Sequence, residues 1–431
     1  MRIALIVPEN NFMSEENSKR HEWDNLWEFK ARKRLWSTPN LSLLTIAGML
    51  PRDIEIEYID MNFHGSVEQV YDWVFFSPST SQIVNAYHIA DQLRIKGSKI
   101  AMGGVHVSIL PDEALEHSDV VFIGEAEEIM LDFLKDIEQN DIKKIYKGSH
   151  APLLSYTPIP RYDLGKKYPY KSIPVQTSRG CPHQCSFCVS SKLYGKKIRR
   201  KSVQQIQEEL YEIKRLYDKP FVFFTDDNLF INEEYSRSII EVIGKLNIRW
   251  YAFTDASIAN KPDLLKSISE AGCSQLLIGF ESLSLENLES INSSNWKAGK
   301  LKEYKDIVGR IQGHGIGVVG SFVLGLECDS LNVFDDILEF VDETCLYATN
   351  ITILTPFPGT EIFERLEKED RITTYDWSKY NGFELTFMPR DFTVQQFEEG
   401  YKKFYQTLNS AERATKVLNF FKAVIKKKNN W

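Results

Sequence analysis

An α/β fold of two parallel-sheet units is what this sequence predicts: a doubly wound N-terminal domain of flavodoxin-like or Rossmann-like type, a partial (β/α)6 barrel, and a C-terminal, mostly helical segment. Three observations carry that expectation. Short β-branched runs alternate with amphipathic stretches twice over, first from Met1 to about Gln139 and again from Val175 to Leu354. In the first series the runs are apolar on both faces, as strands of a sheet covered by helices on both sides must be. A stretch without periodicity, holding Pro152, Pro158, Pro160, Pro169 and Pro174, separates the two series.

In order, the first series reads as strands over residues 3–7, 54–59, 73–77, 99–101 and 120–123, with helices over 41–50, 83–95 and 127–137. Its ligand is expected at the carboxyl ends of those strands. The second reads as strands over 175–178, 221–225, 250–254, 275–279, 316–323 and 350–354. Helices over 203–217, 233–246, 262–271, 301–314 and 333–344 fall between them. This spacing suits right-handed crossovers, and six units are too few for a full eight-stranded barrel. After Glu361 the chain is polar, with helices expected over 401–408 and 414–425 before the Lys426-Lys427-Lys428 tail. The units are therefore 1–146, a linker over 147–174, a barrel over 175–360 and an extension over 361–431.

Composition narrows the function classes. With 431 residues, 43% hydrophobic and 26% charged, the chain can bury more than one core. A net charge of -8 argues against a general nucleic-acid binder, which needs a broad basic face. The apolar run from Ile3 to Val7 is too short for a secretory segment, and the longest, from Ile316 to Leu326, is too short to span a membrane. A cytoplasmic protein is expected. Three of the six cysteines crowd into eight positions, which is no secreted disulfide framework.

Those three lie in Arg179-Gly180-Cys181-Pro182-His183-Gln184-Cys185-Ser186-Phe187-Cys188, directly after the first strand of the second series. Thiolates at this Cys-x3-Cys-x2-Cys spacing, on a loop turned by Gly180 and Pro182, can each take one iron of a 4Fe-4S cluster and leave the fourth iron open. A zinc site is the rival reading. Zinc asks for four closed ligands, usually paired cysteines, and His183 lies too near in sequence to complete them. Cys273, Cys328 and Cys345 are scattered and read as buried structural thiols.

The motif, in this position, resembles the radical S-adenosylmethionine (SAM) superfamily, over most of the chain. The resemblance implies that SAM chelates the open iron and that one electron releases a 5′-deoxyadenosyl radical. It implies that Phe187 lies against the adenine and that Asp226-Asp227-Asn228, in place of a Gly-Gly-Glu-type motif, offers Asp227 and Asn228 to the methionine amine. Gly279-Phe280-Glu281-Ser282 looks like the Gly-x-Glu-Ser form that brings Glu281 and Ser282 to SAM, and Pro356 opens a similar Pro-x-Pro-Gly-Thr turn. Tyr251 and Asp255, around the end of the third strand, are candidates for proton transfer or substrate holding.

In the first unit, Gly103-Gly104-Val105-His106 follows the fourth strand and Gly124-Glu125-Ala126-Glu127 the fifth. With Ser77 to Thr80 after the third, these segments resemble the cobalamin-binding domains fused to radical SAM barrels. That implies cobalamin contacts at Ser77, Thr80, Gly103, Gly104, Val105, His106, Gly124 and Glu125. No Asp-x-His occurs anywhere, so cobalamin is expected without a histidine lower ligand. The long connection over 8–39, with Trp23, Trp27, Trp36 and a basic run from Lys30 to Arg34, is expected to cover the cofactor's lower face or the domain interface, or to pack as a helix face.

The family resemblance implies a methyltransferase acting on an unactivated carbon of a small-molecule or peptide substrate, served by a one-electron reductant such as flavodoxin or ferredoxin. Two rivals stand beside it. One is a radical SAM enzyme that dehydrates, cyclises or oxidises without methylating. The other is a non-enzymatic cobalamin carrier or sensor.

Overall fold

The computed structural model describes residues 1–10, 37–148, 153–292 and 295–428, so Trp23, Trp27, Trp36 and the 30–34 basic run lie outside the described residues. The first unit is a six-stranded, all-parallel sheet in the order β2-β1-β3-β4-β5-β6. Its strands are β1 (Arg2–Val7), β2 (Glu55–Asp60), β3 (Trp73–Phe76), β4 (Lys99–Met102), β5 (Val120–Ile123) and β6 (Ile145–Lys147). The order reverses at β1, so a ligand crevice opens above the carboxyl ends beside it.

Alternation along β1 assigns its two faces. Ile3 and Leu5 enter a core continuous with the barrel through Tyr162, Ile173 and Val175, whereas Ala4 and Ile6 pack with Ile83, Ala86 and Ala90 of the helix Ile83–Ile95. Because one core runs through both units, the crevice and the barrel mouth are held in fixed relation.

The second unit is an open parallel sheet in the order β7-β10-β11-β12-β13-β14, with sequential strands and no pairing of the two ends. These are β7 (Ile173–Val175), β10 (Phe221–Phe224), β11 (Arg249–Thr254), β12 (Cys273–Glu281), β13 (Gly317–Leu324) and β14 (Ala348–Ile353). Two short segments, β8 (Ser178–Arg179) and β9 (Arg199–Arg200), pair antiparallel outside it.

Most elements fall where the sequence places them, and the departures have physical causes. The first barrel strand comes earlier than 175–178, because residues 178–179 leave the sheet to pair with β9. Pro174 is tolerated within β7 because that strand forms the sheet's edge. The unforeseen β6 is three residues long with one buried side chain, too short to show a period. Helix Val394–Leu408 begins earlier than expected, at a capping box in which Thr393 and Gln396 each hold the other's backbone N–H.

The C-terminal segment touches both units. Phe397 and Phe404 of helix Val394–Leu408 pack on Phe334, and Trp377 donates its indole N–H to Glu113 of the first domain at 3.0 Å. No described helix is long and apolar enough to cross a membrane.

Candidate active site

The thiol loop leaves the sheet under strict local control. Gly180 has φ +102°, and a Cβ there would stand 2.5 Å from the Lys197 carbonyl oxygen, so only glycine fits. The Cys181 amide donates to Gly195 O at 3.2 Å, the Ser186 amide to Ile291 O at 2.9 Å, and Ser186 O accepts from the Ile362 amide at 3.1 Å. Three separate chain segments thereby grip the loop. Below it, buried Asp226 accepts from the Thr177 amide (3.0 Å), the Thr177 hydroxyl (2.7 Å) and the Ser178 hydroxyl (2.5 Å). Asp226 thus supports the loop, and its neighbour Asp227 faces the cleft.

Burial pushes the thiols up, that of Cys181 to about 11, with Asp227 and the other cysteines adding to the effect. Iron displaces these protons on binding, so a grouping of thiols beside an acid suits a cationic cluster better than free thiolates. Among the described residues no three Cys, His, Asp or Glu side chains converge on a single-ion position. A cluster makes a different demand, one thiolate for each of three irons. The donor set fits the cluster.

The remaining candidates surround this loop. Asn228 donates to Asp255 at 2.7 Å, and His183 stands 3.7 Å from the same carboxylate. Burial would raise Asp255, but His183 and Ser257 hold it below the usual range. On the other flank, Glu281 sits at a β-bulge with φ +64° and pairs with buried Lys297, whose ammonium also donates to Gly279 O at 2.9 Å. A Cβ on Gly279 would stand 2.3 Å from Glu281 Oε1 and 3.1 Å from Lys297 Nζ, so a side chain there would displace this ion pair. The Lys297 charge lowers the Cys185 thiol against the rise that burial causes. Ser282 is buried and its hydroxyl takes the Ser284 amide at 3.1 Å. Phe187 packs against the barrel core, and Pro356 is buried at the end of β14.

Opposite lies a cleft of about 470 Å³ between the two sheets, lined from the first by Ser77, Ser79, Gly103, Gly104, Val105 and Gly124. Thr225, Asp227, Ser190 and Tyr194 line it from the second. Gly104 has φ +99°, and a Cβ would press to 2.9 Å of Ser77 Oγ; Gly124 has φ +87°, and its Cβ would project into open space. A bare backbone wall of this kind fits a large flat ligand such as cobalamin.

Several expectations need correction. His106 is fully buried, 3.3 Å from Glu113 and edge-on to Trp377, so it faces away from the cleft. Thr80 is buried in a 3-10 turn, leaving Ser79 and Gln82 to line the wall. Glu125 contributes to the wall, but its carboxylate is engaged by Arg199 (2.6 and 3.0 Å) and Arg179. Tyr251 lies inside β11, stacked on Phe223 at 4.4 Å, where it fills the barrel below the strand end. Of the scattered cysteines, Cys273 is buried but Cys328 is exposed and Cys345 is half-buried in a left-handed helix cap. Sequence reasoning missed Lys297 and the pairing of Arg179 and Arg199 with Glu125. Only the excess of buried-looking opposite charges beside glycines could have signalled the latter.

Two family models match: the radical SAM superfamily over residues 175–341 and the B12 binding domain over residues 32–134. Bacteriochlorophyllide d C-12(1)-methyltransferase of Chlorobaculum tepidum is 30% identical over 374 residues, 84% of this chain and 81% of that protein. Bacteriochlorophyllide d C-8(2)-methyltransferase of the same organism is 28% identical over 382 residues, 85% of this chain and 84% of that one. Among solved structures, the radical SAM methyltransferase TsrM of Kitasatospora setae, with cobalamin and a [4Fe-4S] cluster bound, superposes with a TM-score of 0.65 at 13% identity, covering 85% of this chain and 78% of that one.

Proposed function

This chain belongs to the B12-binding radical SAM enzyme family, and from that premise we propose that it is a cobalamin-dependent methyltransferase acting on an unactivated carbon. One observation carries the reading: strand-end residues of both sheets line a single cleft, so groups held by either would face one substrate. When bound, the cluster would supply the electron that breaks the sulfonium bond of SAM, and cobalamin would supply the methyl group.

The chain's own residues do the holding. Cys181, Cys185 and Cys188 bind the cluster, and Phe187 lies along the adenine. Burial raises Asp227, so a cationic methionine amine beside it restores its charge. Asn228, fixed by Asp255, accompanies it, and Glu281, Ser282 and Pro356 complete the SAM contacts. Ser77, Gly103, Gly104, Val105 and Gly124 form the corrin wall. Cobalamin is read as held without a histidine lower ligand because the sequence contains no Asp-x-His. A one-electron reductant such as flavodoxin or ferredoxin serves the cluster, and thiolates of this kind belong in a reducing, cytoplasmic setting.

The two bacteriochlorophyllide methyltransferases put a tetrapyrrole first among acceptors to test. Anaerobically purified protein is assayed for cobalamin, then given bacteriochlorophyllide d, reductant and SAM with a deuterated methyl group. One labelled methyl in the product supports the proposal for this acceptor. Formation of 5′-deoxyadenosine without methyl gain from any acceptor moves the assignment to non-methylating radical chemistry. Absence of 5′-deoxyadenosine under reducing conditions returns the carrier or sensor reading.

A further inference from the structure

Where the cleft wall meets the thiol loop, four charged side chains pair with one another. Glu125 and Glu127 stand at the start of helix Ala126–Gln139, directly after Gly124; Arg179 directly precedes Gly180 and Cys181, and Arg199 is its partner across the β8–β9 ribbon. Arg179 forks between Glu125 and Glu127, the latter at 2.6 Å, and Arg199 grips both oxygens of Glu125. Thr157 of the linker adds a 3.2 Å hydrogen bond to Glu127.

All four charged side chains are at most 11% exposed. Burial favours neutral Glu127, yet the Arg179 guanidinium more than offsets it and holds the carboxyl below its usual range. Two cations meet two anions, so the group is neutral as a whole, and removing any member strands a buried charge. Apolar residues would serve plain adhesion at least as well; forked ion pairs add a defined orientation. The chain of contacts is short: Gly124 forms the cleft wall, Glu125 follows it, Arg179 grips Glu125, and Cys181 comes two residues later.

We infer that Glu125 and Arg179 are positioning residues that fix the thiol loop against the cleft wall, so that a ligand seated on Gly124 is felt at the cluster. This rests on the reading of the cleft as a cobalamin site. The coupling has a definite direction. Pressure on the wall at Gly124 shifts the Glu125 carboxylate, and the fork transmits the shift to the backbone beside Cys181 without any contact between ligand and cluster.

The test uses the full chain with reconstituted cluster and hydroxocobalamin as the probe. In the unaltered protein, binding should slow amide exchange across residues 176–188 by about threefold or more and change the low-temperature EPR signal of the reduced cluster. Compared at saturating hydroxocobalamin and equal iron per chain, Glu125→Gln should lose both responses; Glu125→Asp, which keeps the charge, should recover part of them. A merely structural bridge would lower the unfolding midpoint in both and leave the EPR response intact. Where Glu125→Gln does not fold, Arg179→Lys gives the same readout, since lysine keeps the charge but cannot fork. Responses that persist in the variants overturn the inference, as do two variants that both fail to fold, or an unaltered protein that binds hydroxocobalamin without either response. Should the unaltered protein bind no hydroxocobalamin, the cobalamin reading falls first and takes this inference with it.

Discussion

The thiol loop and the glycine-lined cleft sit at the carboxyl ends of two six-stranded parallel sheets, and they are built by opposite means. Around Cys181, Cys185 and Cys188 the chain spends side chains: Asp226 beneath, Asn292 at 3.6 Å from the Cys185 sulfur, and Lys297 paired with Glu281 nearby. Around the cleft it withdraws them, leaving Gly103, Gly104 and Gly124 as bare backbone. A ligand bound through a few atoms needs particular donors, whereas a broad flat one needs a surface it can approach. The first kind of site is built on donor side chains; the second rests on a stretch of bare backbone beside its charged rim.

Gly180→Ala breaks the comparison hardest on the thiol side. The added carbon meets backbone at 2.5 Å in a left-handed conformation, and the Lys197 carbonyl has no side chain to swing away. Iron per chain after anaerobic reconstitution should fall at least about tenfold, an effect of about 1.4 kcal/mol or more. Near-normal iron would mean that the loop is less constrained than its geometry indicates.

Gly124→Leu makes the opposite cut. The side chain enters open space, at a conformational cost of about 1–2 kcal/mol, and fills part of the cleft. Hydroxocobalamin retained on gel filtration should drop sharply while iron stays close to that of the unaltered protein. If iron is lost as well, the two sites are not separable in the way described.

A smaller effect separates the regions by pH. Burial raises the Asp226 carboxyl against its three donors, so the folded value lies above the unfolded one. The native chain then holds a proton that the unfolded chain has released, and stability falls as pH rises from the ordinary carboxylate range through the folded value. Asp329, held up to about 7 by burial, and Asp227 act in the same sense, so between pH 4 and 8 the denaturant midpoint of Asp226→Asn should fall less steeply with pH than that of the unaltered chain, without becoming flat. The glycine wall has no corresponding group, so Gly124→Leu should leave the slope unchanged.

The same contrast governs how much could be read in advance. Cysteine spacing is a local property, and Cys181, Cys185 and Cys188 needed nothing but the sequence to be singled out. Strand period likewise located nearly every sheet element, because a doubly covered parallel strand is apolar along its length. Direction was harder. That Gly124-Glu125 follows a strand is evident, yet the turn of the Glu125 carboxylate toward Arg179 depends on a partner 54 residues away. His106 is one residue beyond Val105 of the cleft wall, but the short helix Val105–Ile109 rotates it toward Glu113. Tyr251 lies only three residues before the end of β11, and that is enough to put it down the barrel beside Phe223. Lys297 left no trace at all, since it reaches Glu281 only after the intervening helix Leu285–Ile291 has folded back.

Serine at Cys181, Cys185 or Cys188, one at a time, addresses the central claim most directly. Each protein is reconstituted anaerobically, its iron and sulfide counted, and 5′-deoxyadenosine measured after reduction in the presence of SAM. The unaltered chain should carry about four irons and form the product, and each variant should lose both. Unchanged scission in any one of the three, or no cluster in the unaltered chain, would contradict the account.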